Sequence, residues 1–460
     1  MIQNERIKIL NDREVLDKPY VLYWMQSSQR TEYNHALEFA QDEANRLKKP
    51  LVVYFGLTEN FPEANARHFR FMLEGLLEVK RELEGRGIKL QVMRCSPEDG
   101  ALELSKDAAL LVTDRGYLRI QKSWRRTLAE KAPCRVIQVE SDVLVPVEET
   151  SNKEEYSAAT IRRKIERKLP DFSLPLQERE CEYPSMGLVF PQEEFVLDNI
   201  EDIMGRLNLQ ADLPEVISLR GGTSHAKEKL EDFVERKLDS YAEHKNEPSG
   251  EFTSDLSPYL HFGQISPLYV YLRLRDIHSE NKRVFLDELI VRRELAINFV
   301  EYNEHYDSYA AITSFARATL EKHRHDEREW LYSKEELENG LTHDPYWNAA
   351  ELEMVFTGKM NGYMRMYWGK KIIEWSATPE DAYDMALYLN NRYNIDGRDP
   401  NGFAGVAWCF GKHDRPWKER EIFGSVRFMN DKGLKRKFNM EAYLEKVDRI
   451  KKRKEEIKNG

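Results

Sequence analysis

The chain has 460 residues, with 70 Lys and Arg against 80 Asp and Glu, and its formal net charge at pH 7 is −10. This length predicts two domains, and a hydrophobic fraction of 41% is enough for large buried cores. The acidic balance argues against a nonspecific nucleic-acid binder, because neutralising phosphates requires clustered Lys and Arg.

Two further features limit the class of protein. No apolar run approaches the roughly 18 residues of a membrane span, and the N-terminus lacks the apolar core of a signal peptide. The four cysteines form no Cys-x-x-Cys pair, and the histidines form no His-Glu-x-x-His motif. We therefore expect an intracellular monomer, cytoplasmic or, in a eukaryote, nuclear, without a membrane partner or a metal.

From residue 19 to about residue 145, short β-rich runs alternate with amphipathic helical segments. The runs are residues 21–25, 51–57, 88–94, 109–113 and 135–139. This alternation predicts an α/β domain over residues 1–170, built on a doubly wound parallel sheet with helices on both faces. Ligands of such sheets bind beyond the carboxyl ends of the strands, but no glycine-rich nucleotide motif names a ligand here.

The periodic pattern fades over residues 171–222, where Pro175, Pro184 and Pro191 interrupt any long element. This composition predicts an interdomain linker. Almost every later segment has helical periodicity, which predicts an all-α domain over residues 223–460.

Five of the eight tryptophans lie between residues 343 and 417. Asp344 and Thr378, each followed by proline, are typical helix N-caps. Between these two starts, Trp368 and Trp375 fall on one face of a helix that we expect to begin near Met360. Aromatic residues at helical spacing usually form core, so the spacing alone does not assign a function.

Two polar patterns in the helical part have an ordinary and a functional interpretation. Thr253, Ser254 and Ser257 precede a predicted helix, where they could cap it or offer hydroxyl donors to phosphate oxygens. Glu288 and Arg292 lie one helical turn apart, which could be a surface ion pair of little energetic worth or part of a site.

Several runs of the chain carry a resemblance to one known family. They are residues 24–37, 253–260, 285–299, 363–368, 396–402 and 411–430. Together they resemble the photolyase and cryptochrome family, and within it the class II cyclobutane pyrimidine dimer photolyases. The resemblance extends from about residue 20 to residue 438, which is nearly the whole chain.

The resemblance implies that the α/β domain carries an antenna chromophore, a deazaflavin or a folate, and that the all-α domain binds FAD. The residues it assigns to FAD are Tyr241, Thr253, Ser254, Asp255, Leu256, Ser257, Arg292, Arg365 and Asp396. The implied activity is light-driven repair of cyclobutane pyrimidine dimers in ultraviolet-damaged double-stranded DNA. An electron passes from excited, reduced FAD to a dimer flipped out of the duplex, and photolyases are themselves a standard example of base flipping.

The resemblance also implies roles around the dimer and the flavin. The residues assigned to catalysis are Glu288, Trp368, Trp347, Trp375 and Asn390, and those assigned to the dimer and DNA are Lys245, Met366, Trp408 and Arg427. Glu288 is expected to hydrogen-bond the pyrimidine edge and Asn390 to lie near flavin N5. The three tryptophans are expected to pass electrons to the flavin, in the order Trp368, Trp347, Trp375 towards the surface.

The chain departs from the related patterns at a few positions. Asp287 and Ser425 replace an expected Glu and Lys, and Val291 stands where class I enzymes have a second stacking tryptophan. The residue that forms the second wall of the dimer pocket is therefore not assigned. The alternatives are a flavin photoreceptor without repair activity and an α/β nucleotide-binding protein with a helical partner-binding domain. Glu288 and Trp408 favour repair, because a photoreceptor does not need residues that grip a dimer.

Overall fold

Six strands form one sheet in the computed structural model, which describes residues 2–210, 213, 214, 216 and 219–459. The strands are β1 (Ile7–Ile9), β2 (Tyr20–Trp24), β3 (Leu51–Gly56), β4 (Lys89–Met93), β5 (Ala108–Asp114) and β6 (Arg135–Val139). Their order is β1-β6-β5-β2-β3-β4, and neighbours are parallel except β1 with β6. The predicted doubly wound parallel sheet is confirmed, and the chain order reverses at β2. The sequence analysis missed β1, because a three-residue edge strand with two exposed residues has no apolar run.

Strand β2 illustrates why these residues form a central strand. All five are buried, with Val21 and Tyr23 in the apolar cluster on one face and Leu22 and Trp24 in the cluster on the other. Helices cover both faces, so the strand is apolar throughout. These helices and those that follow are α1 (His35–Leu47), α2 (Ala66–Gly85), α3 (Pro97–Ser105), α4 (Arg119–Lys131), α5 (Val147–Thr150), α6 (Ala158–Phe172) and α7 (Ile200–Arg206).

The rest of the described chain is helical, as predicted. Its α-helices are α8 (Thr223–Asp232), α9 (Tyr241–His244), α10 (Ser257–His261), α11 (Pro267–Leu274), α12 (Glu280–Leu286), α13 (Arg293–Tyr302), α14 (Ser314–Lys322), α15 (Lys334–Glu338), α16 (Pro345–Thr357), α17 (Gly362–Trp375), α18 (Pro379–Tyr393), α19 (Pro400–Cys409), α20 (Asp431–Lys437) and α21 (Met440–Asn459). Short 3-10 turns cover Asn4–Arg6, Leu238–Ser240 and Tyr309–Ala311, and π-helical turns cover Phe233–Lys237 and Asp287–Arg292.

Side-chain caps fix the helices that surround the tryptophans. Asp344 accepts hydrogen bonds from two amides of α16, and Thr378 accepts one from the amide of Asp381 in α18. Both predicted helix starts are confirmed. The turn-forming residues of the segment 394–402 predict a loop, but the loop is shorter, because Asp399 accepts a 2.6 Å hydrogen bond from the amide of Gly402 and helix α19 begins at Pro400.

Hydrogen bonds join the sheet domain to the helices. Arg30 donates to the carbonyl of Gly263 at 2.9 Å, and the amide of Leu144 donates to the Glu294 carboxylate at 2.7 Å. These contacts set the helical part against the sheet edge where a ligand of the α/β domain is expected. Within the described residues, no helix has both the length and the apolar character needed to cross a membrane.

Candidate functional site

The three predicted electron-transfer tryptophans form a row of rings in contact. The ring centroid of Trp347 lies 6.4 Å from that of Trp368, with planes 6° apart, and 5.6 Å from that of Trp375. Trp347 Nε1 also donates to the carbonyl of Trp368 at 3.0 Å. The structure therefore places the rings in the predicted order. All three are buried, and Trp375 is only 2% exposed, so the row itself stops short of solvent.

Three residues that the sequence analysis did not name continue the row outward. The ring centroid of Tyr332 lies 5.3 Å from that of Trp375, and its hydroxyl lies 2.6 Å from Nδ1 of His343. Trp330 stacks on His343 at 4.5 Å and is 44% exposed. The closely spaced aromatic residues Trp330 and Tyr332 were a sequence signal, but they lie outside the tryptophan-rich stretch at residues 343–417.

Glu351 was also missed, although it touches the inner end of the row. Trp368 Nε1 donates to its carboxyl oxygen at 2.6 Å. Burial raises the pKa of Glu351 to about 8, and the hydrogen bond from Trp368 opposes the shift only in part. No sequence pattern marks this residue, because a glutamate in a helix normally faces water.

A second cluster is charged and half-buried. Lys245 Nζ lies 2.5 Å from Glu288 Oε1, and Arg292 Nε lies 3.4 Å from the same oxygen. The guanidinium carbon of Arg292 lies 5.3 Å from the centre of the Trp408 ring. We call Lys245, Glu288, Arg292 and Trp408 the charged pocket. It brings together three residues predicted to contact the dimer or DNA and one, Arg292, predicted to bind FAD.

Local backbone geometry explains how Arg292 reaches this pocket. Residues Asp287–Arg292 form a π-helical turn, and such turns, which accommodate an extra residue, are frequent at functional sites. Val291 is 5% exposed and packs in an apolar cluster with Phe285 and Leu289. The position where class I enzymes have a stacking tryptophan therefore belongs to the core here.

Residues 253–257, which we call the hydroxyl-rich loop, adopt a strained conformation that includes an ion pair. Asp255 has φ 57°, in the left-handed region, and accepts hydrogen bonds from Thr253 at 3.0 Å and from Lys359 at 2.7 Å. Burial raises the pKa of Asp255, but Lys359 and Thr253 outweigh it, and the net shift is downward. Ser254 is half-buried, Leu256 is buried, and Ser257 is exposed at the start of α10. Lys359 was not among the residues predicted for the site.

Arg365 and Asp396 face each other, as predicted, at 3.8 Å between Nη2 and Oδ1. Within the described part of the chain, Arg365 Nε and Asp396 Oδ1 are buried atoms without a hydrogen-bond partner. The side chain of Asn390 is held by hydrogen bonds to Asn391 at 3.2 Å and from Asn394 at 3.0 Å. One donor and one acceptor thus remain available at the ion pair, which requires a ligand or water.

The remaining predicted residues occupy neighbouring places. Tyr241 is buried, and Lys245 Nζ lies 5.8 Å from its ring centre. Met366 is half-buried, with its sulfur 3.9 Å from that of Cys409. Arg427 lies over the ring of Trp417 at 5.2 Å, in a separate groove of about 400 Å³.

A cavity of about 160 Å³ lies beyond the carboxyl ends of the parallel strands. It is lined from the sheet side by Trp24, Phe55 and Tyr117, and from the helical side by His261 and Asn401. This is the edge of a doubly wound sheet where ligands bind, next to the reversal of strand order. Over the described residues, no group of three or more His, Cys, Asp or Glu is arranged to hold a metal.

Comparison with known families and sequences finds photolyases. Residues 21–182 match the family model described as DNA photolyase. The chain is similar to the deoxyribodipyrimidine photo-lyase of Methanothermobacter thermautotrophicus, with 54% identity over 97% of this chain and 99% of the relative.

Comparison with solved structures shows that this chain has the same fold as known photolyases. A class III photolyase from Agrobacterium tumefaciens superposes with a TM-score of 0.72 at 19% identity, over 94% of this chain and 87% of that one. A photolyase from Sulfolobus tokodaii, whose crystal structure contains two FAD molecules, gives a TM-score of 0.69 at 17% identity, over 92% and 88% of the two chains. At such identities the likeness shows the fold alone.

Proposed function

The chain belongs to the DNA photolyase family, and we propose that it repairs cyclobutane pyrimidine dimers in ultraviolet-damaged double-stranded DNA with light, as a class II enzyme. The charged pocket carries the preference for repair over light sensing. Lys245 and Arg292 converge on Glu288, with Arg292 over the ring of Trp408, and these groups suit the polar carbonyl and N–H edges of a pyrimidine dimer. The long matching runs at residues 285–299 and 411–430 support class II.

FAD is the cofactor that this site fits. The unpartnered Arg365 Nε and Asp396 Oδ1 suit a planar ring that offers both hydrogen-bond donors and acceptors. A Cβ added at Gly405 would meet nothing within 4 Å, so space remains along α19. When bound, FAD supplies light absorption and one-electron chemistry.

The chain's own contribution is to hold the two ends of the cofactor. We assign the diphosphate to the hydroxyl-rich loop, where Thr253, Asp255 and Lys359 are already held together by hydrogen bonds. The predicted contacts of this loop and its surroundings are Tyr241, Ser254, Leu256 and Ser257. Asn390, fixed by its neighbours, is assigned to the flavin N5 side.

At the dimer, Glu288 acts as a hydrogen-bond acceptor. Its carboxylate lies between the ammonium of Lys245 and the guanidinium of Arg292. In this position it accepts a hydrogen bond from a ring N–H of the pyrimidine. Trp408 and Met366 offer the apolar surface for the rest of the lesion.

The duplex around the lesion needs positive charge, although the whole chain carries −10. The groove beside the helix α20 provides it locally, because Arg427, Arg436 and Lys437 line it with Trp417 and Tyr363. We propose that the chain acts as a monomer in the compartment that contains DNA, the cytoplasm of a prokaryote or the nucleus of a eukaryote.

The cavity at the sheet edge is the proposed antenna site. Its lining is mainly aromatic and apolar, with Trp24, Phe55, Phe61 and Trp124 among its walls. Such a lining suits a flat conjugated pigment, a deazaflavin or a folate. Extraction of pigments from the purified protein, followed by mass spectrometry, identifies which one is bound.

The test of function is the loss of dimers from ultraviolet-damaged duplex DNA under blue light with reduced flavin bound. We expect repair in light, none in a dark control, and none of a 6-4 photoproduct in a matched duplex. Dark repair or equal repair of the 6-4 lesion would contradict the proposal. A flavin-containing protein without any repair would instead be a photoreceptor, and a protein without flavin would be neither.

A further inference from the structure

The open question of the dimer pocket is what forms its second wall. Trp408 supplies one aromatic wall, and the opposite position of class I enzymes is Val291 here. Val291 is buried at 5% exposure, so it presents no surface to a ligand. Arg292 lies over Trp408 at 5.3 Å, and its side chain is 38% exposed. The residue that faces Trp408 is therefore an arginine.

The π-helical turn at Asp287–Arg292 explains why Arg292, and not Val291, faces Trp408. In a regular α-helix, Val291 would follow Glu288 by three residues and Arg292 by four, so both would flank the same face. The wider turn lets Val291 point into the apolar cluster with Phe285 and Leu289 while Arg292 stays beside Glu288.

Charge balance leaves the Arg292 guanidinium available to a ligand. Its carboxylate neighbours each have another cation, because Lys245 lies 2.5 Å from Glu288 and Arg162 pairs with Asp287. Arg292 Nε stays 3.4 and 3.6 Å from these two carboxylates, and it has no hydrogen-bond partner among the described residues. Nε faces the two carboxylates, but the side chain is 38% exposed, so the terminal nitrogens of the guanidinium can donate to a carbonyl oxygen of a ligand.

We propose that Arg292 forms the second wall of the dimer pocket and donates hydrogen bonds to a carbonyl oxygen of the extruded pyrimidine dimer. This inference rests on the proposed repair function and replaces the prediction that Arg292 binds FAD. The guanidinium is planar, so it stacks against the lesion as an aromatic wall would. Its positive charge also stabilises the negative charge of a dimer that has taken up an electron.

Glu288 and Arg292 have different roles in this proposal, because their charges are opposite. Glu288 recognises the pyrimidine by accepting a hydrogen bond and brings no positive charge to the lesion. Arg292, on the same face of the helix, supplies the opposite charge within 3.4 Å of that carboxylate. Arg292 exchanges neither a proton nor an electron in this role.

The experiment compares Arg292→Gln, Arg292→Lys and Arg292→Trp with the wild type, all loaded with FAD. Three quantities are measured: flavin content by absorbance, the ratio of affinities for duplexes with and without a single thymine dimer, and repair per absorbed photon. Arg292→Gln should keep its flavin and lose about tenfold to a hundredfold in the affinity ratio, as expected for a hydrogen bond to a charged group. Arg292→Lys keeps the charge without the plane, so it should recover repair per photon better than binding. Arg292→Trp should show the reverse.

Arg273→Gln is the matched control, because Arg273 pairs with Glu231 and is not part of the charged pocket. We expect it to leave all three quantities unchanged. Equal losses in Arg273→Gln and Arg292→Gln would show a general effect of removing an ion-paired arginine and overturn the inference. Loss of flavin in Arg292→Gln at an unchanged melting temperature would return the residue to the cofactor. If the wild type repairs no dimers, the proposed function fails with the inference; if it repairs them and Arg292→Gln does so equally, only the inference fails.

Discussion

The tryptophan row and the charged pocket solve opposite physical problems within one helical domain. The row is neutral and dry, and Trp347 is held by a hydrogen bond to Trp368 and by contact with both neighbouring rings. The charged pocket is half-exposed and holds two cations around one carboxylate, with a donor of Arg292 left unpartnered. The row is complete without a ligand, whereas the pocket is not.

This difference predicts how each region responds to substitution. Large buried aromatic rings contribute to stability through their packing, so changes in the row affect folding and electron transfer together. Charges at a partly exposed site contribute little to stability because water screens them. Changes in the charged pocket should therefore alter ligand recognition while the protein stays folded.

The largest expected effect is that of Trp347→Phe, which breaks the row at its middle. Phenylalanine fills most of the space but is much harder to oxidise than indole, so light-driven reduction of the bound flavin by an external donor should nearly cease. Stability should fall by about 1–2 kcal/mol, because the substitution leaves a small cavity and frees the Trp368 carbonyl. Time-resolved absorbance and urea denaturation measure the two effects. Trp417→Phe, in the groove beside α20 and off the row, is the control for flavin reduction. Normal reduction in Trp347→Phe would show that electrons take another route.

A smaller effect, in the charged pocket, is expected for Glu288→Gln. The amide keeps the shape and an acceptor oxygen but loses the charge that pairs with Lys245 and Arg292. Repair per photon should fall about tenfold to a hundredfold, as for loss of a charged hydrogen bond, while flavin content stays unchanged. If the melting temperature fell as far as in Trp347→Phe, the proposed contrast between the two regions would be wrong.

A third prediction concerns Glu351, whose buried carboxyl beside Trp368 makes the stability of the protein depend on pH. Burial raises the pKa of this carboxyl from 4.5 to about 8 in the folded protein, so between these values only the folded state keeps its proton. The free energy of unfolding contributed by Glu351 is therefore largest below pH 4.5 and falls as pH rises towards 8. Glu351→Gln should remove this decline and stabilise the protein at pH 8 by on the order of 4 kcal/mol, since one pKa unit corresponds to about 1.4 kcal/mol. Urea denaturation of both proteins at pH 5 and pH 8 measures this change in the free energy of unfolding. If the wild type and the variant lost stability equally between these pH values, the raised pKa of Glu351 would be contradicted.

The smallest effect is expected at the outer end of the row. Tyr332→Phe removes the hydroxyl that lies 2.6 Å from His343 and makes the ring harder to oxidise, between Trp375 and the exposed Trp330. Oxidised Trp375 should then be re-reduced by an external donor a few-fold more slowly, as seen by transient absorption. Tyr388→Phe is a suitable control, because its hydroxyl also has a hydrogen-bond partner, Glu338, but lies off the row. Identical lifetimes in both variants would mean that Trp375 meets its donor directly.

Much of the architecture followed from local sequence patterns. Continuous apolar runs such as β2 specify buried parallel strands, and caps such as Asp344 and Thr378 specify helix starts, because both depend on neighbouring residues alone. The helical spacing of Trp368 and Trp375 placed them on one face of α17. The resemblance of long runs to class II photolyases supplied the family and the cofactor, and most of the residues that we propose for the site.

Only the tertiary structure decided which side chains meet across distant segments. Lys245, Glu288 and Trp408 come from three separate parts of the chain, and their distances depend on how helices pack. The π-helical turn that buries Val291 and exposes Arg292 is one extra residue in a helix, which periodicity does not reveal. The contacts of Trp330, Tyr332 and Glu351 with the row likewise arise from packing, since a side chain's burial is a property of the whole fold.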